Sequence, residues 1–193
     1  MKILIVSTRR SGAYSFGKAL AKHFNVPYFD NPYVPNSSVA PTVQKKGCVV
    51  KVQIQQQSIE DLTEYCKEFN KVFILTRKHI NRVYESLYYQ IYMRKITSVD
   101  GYWHESYFLP VFDGENFEFK PELFNEIRRH TILLGEFAYK KKISYLYYED
   151  LFSEDDEVFS KIIERLNLGL DLEIMRKLLH PSKRYRKFKK EKI

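Results

Sequence analysis

The stretch ILIVSTRRSG, residues 3–12, decides the fold of this 193-residue chain. Its first four residues are apolar and three of them are β-branched, a composition typical of a buried parallel strand. Apolar residues at Phe16, Leu20 and Phe24 predict a helix after the polar turn. The unpaired N–H groups at the start of that helix, its dipole and two arginines all meet in the turn. The sequence therefore predicts a site for the phosphate or sulfate group of a small molecule.

Two interpretations of this turn differ in which glycine contacts the phosphate. Gly12, Gly17 and Lys18 match the GxxxxGK part of a Walker A loop, but Ala19 replaces the Ser or Thr that binds magnesium. Gly12 also lies too far beyond the predicted strand to be the first glycine of such a loop. Counted from the strand, Arg10-Ser11-Gly12 covers the phosphate, and the hydroxyl side chains in and after it add donors. The predicted phosphate-binding residues of the turn are Arg9, Arg10, Ser11, Gly12, Ala13, Tyr14 and Ser15.

Length and composition indicate one domain, residues 1–193, with a basic C-terminal tail at 181–193. Cys48 and Cys66 are too few for a disulfide framework, so we expect a reducing, cytoplasmic compartment. No apolar run approaches the roughly 18 residues of a membrane span, and we expect a soluble chain without a membrane partner. The net charge is +8, but much of it belongs to the tail, so we do not expect a nucleic-acid partner.

Strand and helix patterns alternate along the chain. The predicted strands are 3–6, 49–54, 72–75 and 143–147, and the predicted helices after the first are 58–69, 80–91, 122–141 and 155–166. This order predicts an α/β fold, a three-layer sandwich with a central, mainly parallel sheet. Ligands of such sheets bind at the carboxyl ends of the strands. The long stretches 31–47 and 96–119 are expected to form walls of the substrate site.

A second group of cations follows the strand at 72–75. Arg77 and Lys78 lie at its end, and Ser86 lies about two helical turns into the next element. Together with Arg10-Ser11-Gly12, these residues resemble the cofactor-binding motifs of sulfotransferases. Members of that family hold a 5′-phosphosulfate with a Lys/Arg-Ser-Gly loop, and they hold a 3′-phosphate with an arginine and a serine eight residues later. Counting back eight residues from Ser86 gives Lys78, with Arg77 one position earlier. Which of the two cations has the role stays open.

Further matches extend the resemblance along the chain. Lys51 is similar to a strand lysine that contacts the sulfuryl group. Trp103-His104 resembles a pair in small bacterial, trehalose-type sulfotransferases. Tyr148 begins a Tyr-Glu-Asp-Leu segment whose tyrosine touches adenine, and Arg186-Lys187 resembles a segment that closes over the cofactor. The resemblance implies a P-loop NTPase-like sulfotransferase architecture and the cofactor 3′-phosphoadenosine 5′-phosphosulfate, with adenosine 3′,5′-bisphosphate as product and no metal.

The resemblance also implies transfer of a sulfuryl group to a hydroxyl or amine of a small-molecule or carbohydrate acceptor. Arg10 is expected at the leaving oxygen with help from Lys51, because preorganised cations stabilise the charge that develops there. The general base stays open, since Gln53 stands where many animal members have a histidine. Asp30, in the turn after the first helix, and His104 with its neighbour Glu105 are the candidates. His79 and His130 have no partner that the sequence can identify.

Two other functions remain open on the sequence alone. One is a P-loop kinase-like phosphotransferase that uses ATP and magnesium, and the other is a non-catalytic relative that binds a nucleotide or a nucleic acid. Magnesium dependence would separate the first of these from a sulfotransferase. A steep salt dependence of DNA or RNA affinity would favour the second.

Overall fold

The computed structural model describes residues 1–31, 47–88, 91 and 119–179. Within these residues, five parallel strands form one sheet in the order β2-β3-β1-β4-β5. The strands are β1 (Lys2–Ser7), β2 (Tyr28–Asp30), β3 (Cys48–Gln53), β4 (Lys71–Thr76) and β5 (Tyr145–Tyr147). The helices are α1 (Ala13–Phe24), α2 (Ile59–Tyr65), α3 (Ile80–Tyr88), α4 (Pro121–Lys141), α5 (Tyr148–Leu151), α6 (Asp156–Arg165) and α7 (Leu172–Leu179).

Helices cover both faces of the sheet, because every long strand is apolar on both sides. Ile3 and Ile5 of β1 pack with α1, α6 and α7 on one face. Leu4 and Val6 pack with α2 and α4 on the other face. The predicted three-layer α/β fold with a parallel central sheet is therefore confirmed.

Strand order places the carboxyl end of β1 at the point where the chain changes direction across the sheet. The chain leaves β1 toward β2 and β3 on one side and returns past β1 to β4 and β5 on the other. In doubly wound sheets, the crevice outside the strand ends at such a point is where ligands bind. The turns after β1 and β4, where the sequence predicts the phosphate-binding residues, both lie at this crevice.

Local signals explain several helix boundaries. Ser58 caps α2, since its Oγ accepts the Asp61 N–H at 3.0 Å. Asp155 caps α6 by accepting the N–H groups of Glu157 and Val158. The α1 and α4 helices end where Asn25 and Lys142 adopt left-handed backbone conformations.

Three elements lie outside the prediction. The β2 strand has only three residues, too few for an alternating pattern, and it forms by pairing with β3 at the edge of the sheet. The short α5 helix and the α7 helix were also not predicted. The predicted strand at 143–147 is shorter than expected, because pairing with β4 begins at Tyr145. In the part of the chain described here, no helix combines the length and the apolar character that crossing a bilayer requires.

Candidate functional site

The turn between β1 and α1 has a tightly constrained backbone. Arg10 and Gly12 both have a positive φ, +58° and +79°, and Gly12 is the N-cap of α1. Ser11 is buried, and its Oγ donates to the Thr8 carbonyl at 2.9 Å. A Cβ on Gly12 would lie 2.5 Å from Cδ2 of Tyr148, so only glycine fits this position. The turn therefore opens α1 with a backbone held close to Tyr148.

The structure disfavours the Walker A interpretation. Gly17 is buried inside α1, where a Cβ would lie 2.5 Å from the Tyr28 ring. Lys18 is exposed, with Nζ 4.4 Å from the centre of the Tyr14 ring. The α1 helix already begins at Ala13, so Lys18 lies more than a helical turn beyond the phosphate-binding turn.

Two arginines connect the turn after β1 with the turn after β4. Arg10 Nε donates to Ser86 Oγ at 2.8 Å, and Arg77 Nε donates to the Arg10 carbonyl at 2.7 Å. The Arg77 guanidinium carbon lies 4.2 Å from the centre of the Tyr148 ring, which stacks on Phe152. Within the described residues, Arg77 forms no ion pair with a carboxylate. Two guanidinium groups beside a hydroxyl are suited to bind a phosphate or sulfate.

Lys78 has different partners from its neighbour. Its Nζ lies 2.5 Å from Asp150 Oδ1, and its backbone N–H donates to Glu149 Oε2 at 2.9 Å. The hydrogen bond that Lys78 donates to the Asp150 carboxylate raises the pKa of Lys78 above its usual value. Glu149 and Asp150 thus orient the turn after β4, and Arg77 is the cation linked to Arg10.

Asp30 and Lys51 lie opposite each other on neighbouring strands. Lys51 Nζ is 2.8 Å from Asp30 Oδ1, and the Lys51 side chain is only 7% exposed whereas that of Asp30 is 38% exposed. An ammonium group has three N–H donors, and no second partner for Lys51 lies among the residues described. A buried ammonium with unused N–H groups can donate them to an anionic ligand.

His130 is a buried residue for which the sequence alone identifies no partner. Its Nδ1 lies 3.9 Å from Oε1 of Glu126, one turn earlier on α4, and Glu126 also lies 3.6 Å from Arg9. Burial lowers the pKa of His130, and the charge of Glu126 opposes this effect. The Glu-His spacing of four residues on one helix is the signal that could have identified this contact.

The sequence-based prediction does not include a set of buried amide and hydroxyl groups. These side-chain atoms have no hydrogen-bond partner in the described part of the protein. Those in or just after β2 and β3 are Tyr28 Oη, Asn31 Oδ1, Gln55 Oε1, Gln57 Oε1 and Gln57 Nε2. The sequence signal for this set is the run Gln-Ile-Gln-Gln-Gln at 53–57.

The remaining predicted residues fall into two groups. Ala13 is buried at the start of α1, and Tyr14 and Ser15 are exposed on its first turn. His104, Arg186 and Lys187 lie outside the described residues, as does Glu105. The functional roles of all these residues stay predictions. No cluster of three or more His, Cys, Asp or Glu side chains suited to a metal ion is found among residues 1–31, 47–88 and 119–179.

Comparisons with known proteins bear on the fold. No protein-family model and no curated protein sequence matches the chain. Among solved structures, mouse sulfotransferase SULT7A1 complexed with PAP superposes with a TM-score of 0.51 over 92% of this chain, at 11% sequence identity. The match spans 62% of the length of the mouse chain. The protein therefore has a sulfotransferase-like α/β fold.

Proposed function

We propose that this protein is a sulfotransferase that moves a sulfuryl group from 3′-phosphoadenosine 5′-phosphosulfate to a hydroxyl or amine of a small-molecule or carbohydrate acceptor. The observation that carries the proposal is the contact of Arg10 with both Ser86 and Arg77 at the crevice between β1 and β4. This contact joins the two turns that resemble the 5′-phosphosulfate and 3′-phosphate sites of sulfotransferases. The fold shared with a PAP-bound sulfotransferase supports it.

The residues of the crevice fit the chemistry of this donor. Arg10, Arg77 and Ser86 supply charged and neutral donors for phosphate oxygens, and the N–H groups at the start of α1 add to them. Lys51 supplies a buried ammonium with N–H donors to spare for a sulfuryl oxygen. Gly12 allows the backbone to approach Tyr148, which we assign to the adenine by the resemblance. We place the enzyme in the cytoplasm, because its two cysteines are predicted to be thiols.

The donor brings an activated sulfuryl group, whose sulfur–oxygen bond to phosphate breaks as the acceptor oxygen bonds to sulfur. Arg10 and Lys51 stabilise the negative charge that develops on the leaving oxygen. The part-exposed carboxylate of Asp30, 2.8 Å from Lys51, takes the proton of the acceptor hydroxyl and passes it to water. Removing one such charged donor costs on the order of a hundredfold in rate.

Calorimetric titration with adenosine 3′,5′-bisphosphate in the absence of magnesium tests the proposal, alongside ATP with magnesium. We expect micromolar binding of the bisphosphate, weakened about tenfold to a hundredfold in Arg10→Ala through loss of a charge-assisted contact. Arg82→Ala is the matched control, because Arg82 is an exposed cation that pairs with Glu85 on α3. Sulfuryl transfer to a panel of sugars and phenols then follows with the intact donor.

Other outcomes would contradict the proposal. A preference for magnesium-ATP would favour the kinase-like function despite the position of Lys18. Binding of neither nucleotide, together with a steeply salt-dependent affinity for RNA or DNA, would favour the non-catalytic relative.

A further inference from the structure

The carboxyl ends of β2 and β3 hold a concentration of amide side chains that the proposed chemistry does not use. Asn31 Oδ1, Gln55 Oε1 and both polar atoms of Gln57 are buried, yet no atom of the described residues pairs with them. Buried polar groups in proteins nearly always have a partner, either in the protein or in a bound molecule. We call Asn31, Gln55 and Gln57 the amide subsite.

Two residues of the amide subsite, Asn31 and Gln55, connect to the strand residues that hold the Asp30–Lys51 pair. Asn31 directly follows Asp30, and its N–H donates to the Lys51 carbonyl at 2.7 Å. Gln55 Nε2 donates at 2.5 Å to Oε1 of Gln53, which shares a face of β3 with Lys51. Asn31 and Gln55 are therefore connected to the edge of the sheet where the acceptor hydroxyl would meet Asp30, and Gln57 follows Gln55 by two residues.

The Tyr28 hydroxyl belongs to the same region. Tyr28 precedes Asp30 by two residues on β2, and its hydroxyl is buried without a partner in the described part of the chain. Burial raises the pKa of Tyr28, and the nearby charge of Asp30 raises it further, so the hydroxyl keeps its proton. It thus stays available as a neutral donor beside the Asp30 carboxylate.

The chemistry of these groups defines their ligand. A carboxamide is neutral and offers both N–H donors and a carbonyl acceptor, which matches the donor and acceptor functions of a hydroxyl group. An anion would face unpaired carbonyl oxygens, and a phenol has one hydroxyl for several polar partners. We propose that the amide subsite binds the hydroxyl groups of a neutral, polyhydroxylated acceptor such as a sugar. This rests on the proposed function, because it assigns the acceptor class of the same site.

Maltose serves as the probe, and its binding is followed by saturation-transfer NMR and calorimetry on the full chain saturated with adenosine 3′,5′-bisphosphate. Gln57→Leu replaces both unpaired amide atoms with an apolar side chain of similar size. Gln56→Leu is the matched control, since Gln56 is the exposed neighbour. We expect Gln57→Leu to weaken maltose binding about tenfold, the effect of losing one or two neutral hydrogen bonds. Gln56→Leu should change it little.

Stability and nucleotide affinity separate this role from a structural one. Gln57→Leu removes buried polar groups that lack partners, so the midpoint of urea unfolding should stay unchanged or rise. A fall in that midpoint would assign Gln57 a structural role and overturn the proposal. Gln57→Ala is a second variant with the same expected loss of maltose binding, and both variants should keep the wild-type bisphosphate affinity.

The remaining outcomes distinguish failure of this inference from failure of the proposed function. Bisphosphate binding without maltose binding would mean that the amides hold only water, and the inference would fail while the sulfotransferase proposal stands. Preferred binding of 4-nitrophenol over maltose would overturn the inference in the same way. If the wild-type protein did not bind the bisphosphate, the proposed function itself would fail.

Discussion

Arg77 and Lys78 are neighbours in the chain, but they perform different tasks in the structure. Arg77 contacts the Arg10 carbonyl and the Tyr148 ring, whereas Lys78 is an exposed cation held by Asp150. We therefore expect Arg77→Ala to weaken adenosine 3′,5′-bisphosphate binding about tenfold to a hundredfold, and Lys78→Ala to weaken it far less. Calorimetry on the two variants measures the difference. Arg77→Lys should restore little, because lysine lacks the planar guanidinium. Equal losses in both alanine variants would contradict this division.

Asp30 provides a second prediction for a single residue. Asp30→Asn keeps the shape of the side chain but removes the group that takes the acceptor proton, so kcat should fall about a hundredfold or more. Bisphosphate affinity should remain near wild type, because Arg10, Arg77 and Ser86 are unchanged. Steady-state kinetics with the best acceptor, combined with calorimetry, separates the two effects. An unchanged kcat would exclude Asp30 as the base.

His130 links pH to stability. Burial lowers its pKa in the folded state below the usual 6.5, so the unfolded chain binds a proton more readily than the folded one. The free energy of unfolding should therefore fall as the pH drops below about 6.5. Urea unfolding across this range should show a weaker pH dependence in His130→Gln. The exposed His79 is the control, and His79→Gln should retain the wild-type profile.

Helix α1 packs closely against β2 at Gly17. Gly17 lies against the Tyr28 ring, and an alanine Cβ would come within 2.5 Å of it. Gly17→Ala should thus lower the free energy of unfolding by about 1–3 kcal/mol, since Tyr28 has to move. Gly135→Ala in α4 is the matched variant, because its Cβ would meet only the Tyr145 hydroxyl at 3.4 Å. It should raise stability by about 0.5–1 kcal/mol through helix propensity.

Urea unfolding of the two glycine variants measures both changes. A similar effect of both substitutions would show that α1 and β2 tolerate a wider separation. Because Tyr28 precedes Asp30 on β2, Gly17→Ala should also reduce activity more than bisphosphate affinity.

For the whole molecule, ligand binding should appear as stabilisation. The proposed donor site draws on the turns after β1 and β4, so a ligand bound there connects elements from both halves of the sheet. At 100 times its Kd, adenosine 3′,5′-bisphosphate should add about 2.7 kcal/mol to the free energy of unfolding. For a chain of this size, that corresponds to a rise in Tm of about 5–10 °C. Differential scanning fluorimetry tests this, with AMP as the control that lacks the 3′-phosphate. An equal shift with AMP would argue against a 3′-phosphate site.

The sequence by itself determined the strand, the turn and the helix of residues 3–24, together with most other elements. These depend on local properties: the apolar runs of buried strands, the spacing of apolar residues along helices, and the caps at Ser58 and Asp155. The resemblance of short motifs to sulfotransferases also comes from the sequence, and the fold that it implied is present.

Only the tertiary structure decided which side chains meet. Arg10 contacts Ser86, 76 positions away. Asp30 contacts Lys51 of β3 from β2, a strand too short to be predicted. The tertiary structure also gave Arg77 and Lys78 different partners, and within the described residues it left Gln55 Oε1 and both amide atoms of Gln57 buried without a hydrogen-bond partner. The physical reason is that such contacts depend on the order of strands in the sheet. That order follows from packing the whole chain around one core, and no local stretch of residues encodes it.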